Sequence, residues 1–370
     1  MLLDKAAEFL KECKPEETIV IYHKGCGDGI CASALLGKYF KKVYQDTPKK
    51  FFVLGYEEDF KKFTEKILKL NVQNVIFADL SIDKFPELLK ELAKKFRVLI
   101  LDHHTLINDM NKHGILHIHP NFISKLPGEK YCGSKIAYDV CNKLIDMSDA
   151  SWLAAAGILH DVGAEEWKSF MDEVYARFPD LKGGKNIYGF DSKLGELVSL
   201  ISASKIGIAK EIRTISLCIN TENPMDILEL KSDMAKELKY WEDKINTELA
   251  KYIDNWKELA EVHEDLRFVM LEVKGKYPIS STVSTIISLR NPDYLFCVYK
   301  KKSTFVDISF RTQGGGVNCA KLAQESTKNF KLSSGGGHPP AAGARVLKDD
   351  FEIYKSKLPD LVRKLIENGR

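Results

Sequence analysis

The chain has no CxxC pair, although it contains eight cysteines: Cys13, Cys26, Cys31, Cys132, Cys141, Cys218, Cys297 and Cys319. It also has no apolar run long enough to span a membrane. Residues 1–15 read as an amphipathic helix with charges throughout. They lack the unbroken apolar core and small-residue cleavage site of a signal peptide. Scattered cysteines without an export signal fit reduced thiols in a cytoplasmic protein better than a disulfide framework. There is little excess of charge of either sign: the net charge is +3. That excludes a strongly basic nucleic-acid coat and leaves room for a local basic cleft. Internal repeats are absent. What remains is 370 residues, 44% hydrophobic and 29% charged, which is the composition of a soluble globular chain with little disorder. It is too long for one ordinary core and comfortable for two domains.

Short β-branched and apolar runs at 18–22, 51–54, 74–78 and 97–101 read as strands. Helical spacing at 30–40, 58–70 and 82–95 separates them. Strands alternating with helices imply an α/β domain, a mostly parallel sheet with helices on both faces. From Gly133 the pattern turns helical, with apolar helices at 134–145 and 150–160. Residues 225–263 are long, charged and periodic without an internal Gly or Pro, and are expected to form a helical connector. Strand-like runs follow at 267–273, 294–299 and 305–310, with helix candidates at 281–288 and 318–326. These predict a smaller α+β domain. The expected organisation is therefore 1–190, a connector over 191–264, and a second domain over 265–370.

The polar residues of interest fall where the predicted strands end. His23 follows the first, Asp79 the third, and Asp102, His103 and His104 the fourth. Ligands of an open parallel sheet bind outside those carboxyl ends, so topology alone gathers these residues on one rim. Asp161, at the end of an apolar helix, is a further candidate. Such a set of carboxylates and imidazoles suits Mn²⁺ or Mg²⁺. An ion there polarises a phosphoryl oxygen and acidifies a bound water; a pair about 3.5–4 Å apart spans the attacking and leaving oxygens, with one Asp as the usual bridge. Asp79 taken alone serves equally well as a helix N-cap, and His23 alone as a polar residue near a turn. Asp102-His103-His104 is harder to explain structurally, because three ionisable groups directly after a buried strand are costly without partners. His113, His117 and His119 have no such context and read as surface or structural residues. His160 either supports Asp161 or packs.

A second signal lies at 333–343, where three glycines precede a histidine and Ala-Ala-Gly follows. A Gly-rich loop lets backbone amides approach an anion; the alternative is a flexible turn. Arg311, ending a predicted strand, can pair bidentately with a phosphate or form a structural salt bridge.

On these residues the chain resembles the DHH/DHHA1 phosphoesterases, a family that includes RecJ-like single-strand exonucleases, nanoRNases that also act on 3′-phosphoadenosine 5′-phosphate, and cyclic-dinucleotide phosphodiesterases. The stretch 23–33 is similar to the family's first motif, Asp79 to its second, Asp102-His103-His104 to its third, and His160-Asp161 to its fourth. Gly335-Gly336-Gly337-His338 with Ala341-Ala342-Gly343 is similar to the DHHA1 signature. The resemblance implies metal ligands His23, Asp28, Asp79, His103 and Asp161, with Asp79 bridging. It implies that His104 faces the scissile phosphate, that Asp102 orients a histidine, and that Arg311 and Gly335 to His338 hold substrate. Where the family has two aspartates two positions apart, this chain has Cys26 and Asp28. Cys26 is thus either a thiolate ligand or a packing thiol, and one of two metal positions is expected to be weaker.

The expected activity is metal-dependent hydrolysis of a phosphate ester of a nucleotide or short single-stranded oligonucleotide, with one or two Mn²⁺ or Mg²⁺ ions and a possible homodimer. The alternatives are a pyrophosphate or polyphosphate hydrolase, and a catalytically degenerate nucleic-acid-binding scaffold.

Overall fold

A computed structural model describes residues 2–56, 58–314 and 316–367. Contacts divide the chain into two compact units, Met1–Glu242 and Asp243–Arg370. The boundary falls inside the helix Asp233–Ile253.

The first unit is built on five strands: β1 (Thr18–His23), β2 (Lys50–Leu54), β3 (Asn74–Ala78), β4 (Arg97–Leu101) and β5 (Leu116–Ile118). All neighbours pair in parallel, in the order β2-β1-β3-β4-β5. Continuous apolar runs are what a sheet covered on both faces requires. Successive residues alternate between the two covers. Val20, Tyr22, Ile76, Ala78, Leu99 and Leu101 pack into a core with Leu35, Phe40, Ile136 and Trp152. Ile19, Ile21, Val75, Phe77, Val98 and Ile100 pack into the opposite one with Phe60, Ile67, Leu89 and Leu92. The chain runs outward from β1 to β2 on one side and from β3 to β5 on the other. The point where the order reverses lies between β1 and β3, with Tyr22 opposite Ala78. Three buried helices, Gly27–Tyr44, Gly133–Asn142 and Ser151–His160, close over that point.

The second unit carries β6 (Glu261–His263), β7 (Phe268–Glu272), β8 (Leu295–Lys301), β9 (Phe305–Arg311), β10 (Ser334–His338) and β11 (Ala341–Leu347), in the order β10-β11-β9-β8-β7-β6. Only β7 and β8 pair in parallel. Its largest core packs the helix Phe351–Glu367 against β8, β9 and β11 through Phe310, Val346, Phe351 and Tyr354. No helix among the described residues is long and apolar enough to cross a membrane.

Two expectations are corrected, and one strand was not foreseen. Residues 225–263 are not one helix: they hold Met225–Leu228, Asp233–Ile253 and Trp256–Leu259, and end in β6. The periodicity is real, but Leu230 adopts a left-handed φ of 55° that breaks the first join. β5, three residues long, is too short to carry a pattern. Gly335 to His338 form a strand, β10, paired with β11 rather than a loop, because glycine at Gly336 meets glycine at Gly343 and no side chain obstructs the pairing.

Gly157 shows how tightly the three helices meet. A Cβ there would collide with Ser134 Oγ and Asp28 Oδ1. Gly157→Val should therefore lower stability by about 1–3 kcal/mol, read as the denaturation midpoint; an unchanged midpoint would show that the helices can part without cost.

Candidate metal centre

Each proposed ligand in the first unit is delivered by the end of a regular element. His23 is the last residue of β1. Asp79 directly follows β3; its amide donates to the Leu101 carbonyl at 2.8 Å and its φ of 53° swings the side chain out of the sheet register. Aspartate tolerates that left-handed backbone better than most residues. It is not an N-cap, since the next helical turn starts after Ser81. Asp28 sits in the first turn of Gly27–Tyr44, where the helix dipole favours a carboxylate. The Ser134 amide, at the start of another helix, donates to its oxygens at 3.0 and 3.3 Å. Asp161 caps the opposite end of Ser151–His160, where the dipole disfavours a carboxylate. His160 Nδ1 compensates at 2.9 Å.

The run after β4 divides its work. His103 Nδ1 lies 3.1 Å from the Gly128 carbonyl and donates to it, so Nε2 turns inward, 3.2 Å from Asp79 Oδ1 and 3.3 Å from Asp161 Oδ2. A ligating histidine is commonly fixed by such an outer carbonyl. His104 Nδ1 lies 2.7 Å from Asp102 Oδ1, and its ring meets that of His23 edge-on at 5.8 Å. His119 Nε2, 2.6 Å from the His104 carbonyl, braces the backbone. His119 is thus a buried support, and His117 is fully enclosed with its ring 5.8 Å from that of His119.

Donor atoms of Asp28, Asp79 and His103 lie within 4.8 Å of one another, as do those of His23, Cys26 and Asp79, and those of Asp79, Asp102 and His104. His23, Asp28, Asp79, Asp102, His103, His104 and Asp161 are therefore all brought together, and Cys26 faces the same space. Burial, followed by the charges of Asp79 and Asp161, pushes Asp28 up to about 7. Burial opposes protonation of His103, but the Asp79 hydrogen bond and the Asp161 and Asp79 charges outweigh it and raise its pKa well above the usual imidazole value. Burial likewise opposes ionisation of Asp102, which the charge and hydrogen bond of His104 nevertheless hold well below the usual carboxylate range. Burial, then the surrounding Asp79, Asp161 and Asp28 charges, pushes the Cys26 thiol well above its ordinary value.

These residues fit a divalent cation. Asp79 is fully buried, and its Oδ2 accepts no hydrogen bond from any described residue. A cation between Asp28, Asp79 and His103 would satisfy that oxygen and relieve the repulsion that adds to burial in raising Asp28.

Three neighbours carried no sequence signal. Tyr56 lays its ring 4.8 Å from His23 and accepts from the Ser81 amide at 2.9 Å. Glu211 is fully buried and accepts from the Gly25 amide at 3.1 Å. Lys205 Nζ lies 2.7 Å from His160 Nε2. All three sit in ordinary helical or loop stretches, and only packing places them here.

In the second unit, Arg311 on β9 pairs with Ala341 on β11, which pairs with His338 on β10. Arg311 and His338 thus flank one position across three adjacent strands. Arg311 also reaches Ser281 Oγ at 3.4 Å. A Cβ at Gly335 would strike the Ala323 carbonyl, so this glycine lets β10 press against the helix Cys319–Thr327.

Residues 17–158 match the DHH family, N-terminal domain. The first unit carries a DHH-family domain. No curated protein matches the chain by sequence. Among solved structures, RecJ in complex with Mn²⁺ from Thermus thermophilus is similar in fold, with a TM-score of 0.73 and 17% identity over 98% of this chain. The chain spans 55% of that RecJ. An exonuclease RecJ bound to manganese gives 0.69 and 18% over 98% of this chain and 94% of its own. An exopolyphosphatase-related protein from Bacteroides fragilis gives 0.56 and 16% over 98% and 97%. The DHH domain thus contains β1 to β5 and the Asp102-His103-His104 run, while Asp161 lies just beyond the matched residues.

Asp79→Asn keeps a residue suited to the left-handed backbone while removing the buried charge. It should fold normally and bind Mn²⁺ at least about tenfold more weakly, or ~1.4 kcal/mol, by calorimetry. Undiminished binding in the folded variant would remove Asp79 from the ligand set.

Proposed function

We propose that the chain is a metal-dependent phosphoesterase acting on nucleotides or short single-stranded oligonucleotides. The observation that carries this reading is the convergence of Asp28, Asp79, His103 and Asp161 on one buried space beside the Asp102–His104 pair. Asp28, Asp79, His103 and Asp161, with His23, would hold one or two Mn²⁺ or Mg²⁺ ions. A bound ion supplies Lewis acidity toward a phosphoryl oxygen and toward water.

The chain's own residues do the rest. Asp102 accepts from the Nδ1–H of His104 and fixes its ring, and His104 would face the scissile phosphate. Gly128 fixes His103 in the same manner. Three helices and the sheet rim bury these groups, and burial strengthens their electrostatic action on a phosphate. In the second unit, Arg311 would supply a planar, permanently charged fork for a phosphate, with His338 flanking the same position across the strands. The Gly335 to His338 stretch resembles the DHHA1 signature, which favours a nucleotide ester. The likeness to an exopolyphosphatase-related protein favours a phosphoanhydride as the second reading.

Dinucleotides, 3′-phosphoadenosine 5′-phosphate, cyclic dinucleotides and pyrophosphate, each assayed with Mn²⁺, Mg²⁺ or chelator, separate these readings. Turnover of an ester with Mn²⁺ the better ion is expected. Turnover of pyrophosphate alone selects the anhydride, and binding without turnover selects the scaffold. Full activity in chelator, once metal removal is verified, would end the metal reading altogether. Arg311→Ala and His338→Ala should raise KM by about tenfold or more, ~1.4 kcal/mol, with bound metal unchanged. Loss of metal in either variant would contradict a role confined to substrate.

A further inference from the structure

Beside the proposed metal centre stands a cation that the functional reading does not use. Lys205 lies in the short turn Ser204–Ile206 that precedes the helix Ile208–Asn220. Its Nζ is 2.7 Å from His160 Nε2. The other nitrogen of that ring, Nδ1, is 2.9 Å from Asp161 Oδ1. The two bonds fix the tautomer: Nδ1–H donates to Asp161, and Nε2 accepts from the ammonium. Lys205 and Asp161 are therefore opposite charges joined through a neutral imidazole. The Gly27 amide also points at Nε2, at 3.4 Å. A Cβ on Gly27 would come within 2.6 Å of the His160 ring, so the glycine after Cys26 admits this arrangement.

Donor atoms of Cys26, His160 and Asp161 lie within 4.8 Å of one another, which taken alone is a place for an ion. Both nitrogens of His160 are already engaged, however, and Lys205 caps the cluster. We propose that Lys205 is a positioning residue whose ammonium, acting through His160 on the Cys26 side of the centre, stands in for part of a second ion's charge, so that the site holds one divalent ion tightly and a second only weakly. This rests on the metal-dependent reading above. The charges that act on this ammonium include Glu211, whose Oε1 accepts from the Gly25 amide, and Asp161, which it reaches through His160. Cys26, with no carboxylate, and Lys205, with an added cation, bias the same flank in the same direction.

The test is a Mn²⁺ titration of the full chain by calorimetry and by electron paramagnetic resonance, on wild type, Lys205→Met and Lys205→Arg. Wild type should bind one Mn²⁺ at least about tenfold more tightly than a second, and give an uncoupled signal at one equivalent. Lys205→Met should tighten the second ion by about tenfold, and Lys205→Arg should behave as wild type. Two ions of equal affinity in wild type, or an unchanged second ion in folded Lys205→Met, overturn the inference while leaving the functional reading intact. Loss of the tight ion in Lys205→Met also overturns it, by making Lys205 a prop for Asp161 alone. Absence of any bound ion in wild type removes the functional reading itself. Should Lys205→Met fail to fold, wild type decides: a spin-coupled Mn²⁺ pair at the first two equivalents overturns the inference, and stepwise uncoupled binding upholds it.

Discussion

Three carboxylates share a buried space in the first unit, and the rest of that unit is arranged around their repulsion. Asp28 and Asp79 are fully enclosed, and Asp161 is largely so. Burial raises Asp28 first, and like charges at short range in a poorly screened interior add to it, together lifting it to about 7. Left alone, such a cluster would cost several kcal/mol. The protein offsets the cost locally: Ser134 donates an amide to Asp28, His103 lies between Asp79 and Asp161, and His160 turns toward Asp161. The oxygen left over, Oδ2 of Asp79, faces the place where a cation would complete the balance.

Regular elements, rather than loops, hold these groups. Strand ends place His23, Asp79 and the Asp102-His103-His104 run at one level of one sheet, because β1, β3 and β4 are adjacent and parallel. Helix ends place Asp28 and Asp161. The two helix-borne carboxylates are electrostatically unequal: Asp28 sits at a helix start, which suits it, and Asp161 at a helix end, which does not. That inequality explains why Asp161 needs an imidazole partner of its own, and why that imidazole is in turn held by Lys205.

The second unit solves a different problem. Its glycines lie in a strand, so their value is closeness of approach rather than freedom to flex. Gly335 lets β10 sit against the helix Cys319–Thr327, and Gly336 meets Gly343 across the pair. The result is a firm edge in which His338 and Arg311 flank Ala341. For the substrate role proposed for this pair, positions fixed by strand register lower the ordering cost of binding.

Much of this was legible in the sequence, for a physical reason. Buried parallel strands must be continuously apolar, so β1, β3 and β4 announced themselves, and the polar residues just after them had to lie on one rim. Asp79, His103, His104 and Asp102 could therefore be read as one group before any coordinates. The Gly-rich run before His338 was legible as a place of close approach, but composition alone could not distinguish a loop from a strand. Periodicity over 225–263 did not reveal the breaks, because a left-handed Leu230 leaves no mark on hydrophobic spacing. Other features had no local signature at all. The left-handed turn at Asp79, the Ser134 amide beneath Asp28, the buried Glu211 and the Lys205–His160–Asp161 chain join residues from 45 to 186 positions apart or depend on a single backbone angle. The sequence by itself determined which residue types reach the rim, because strand burial dictates where polar residues may begin. Only the tertiary structure decided which nitrogen of each histidine faces inward and which cation stands behind Cys26, because those depend on helices that meet in space and not along the chain.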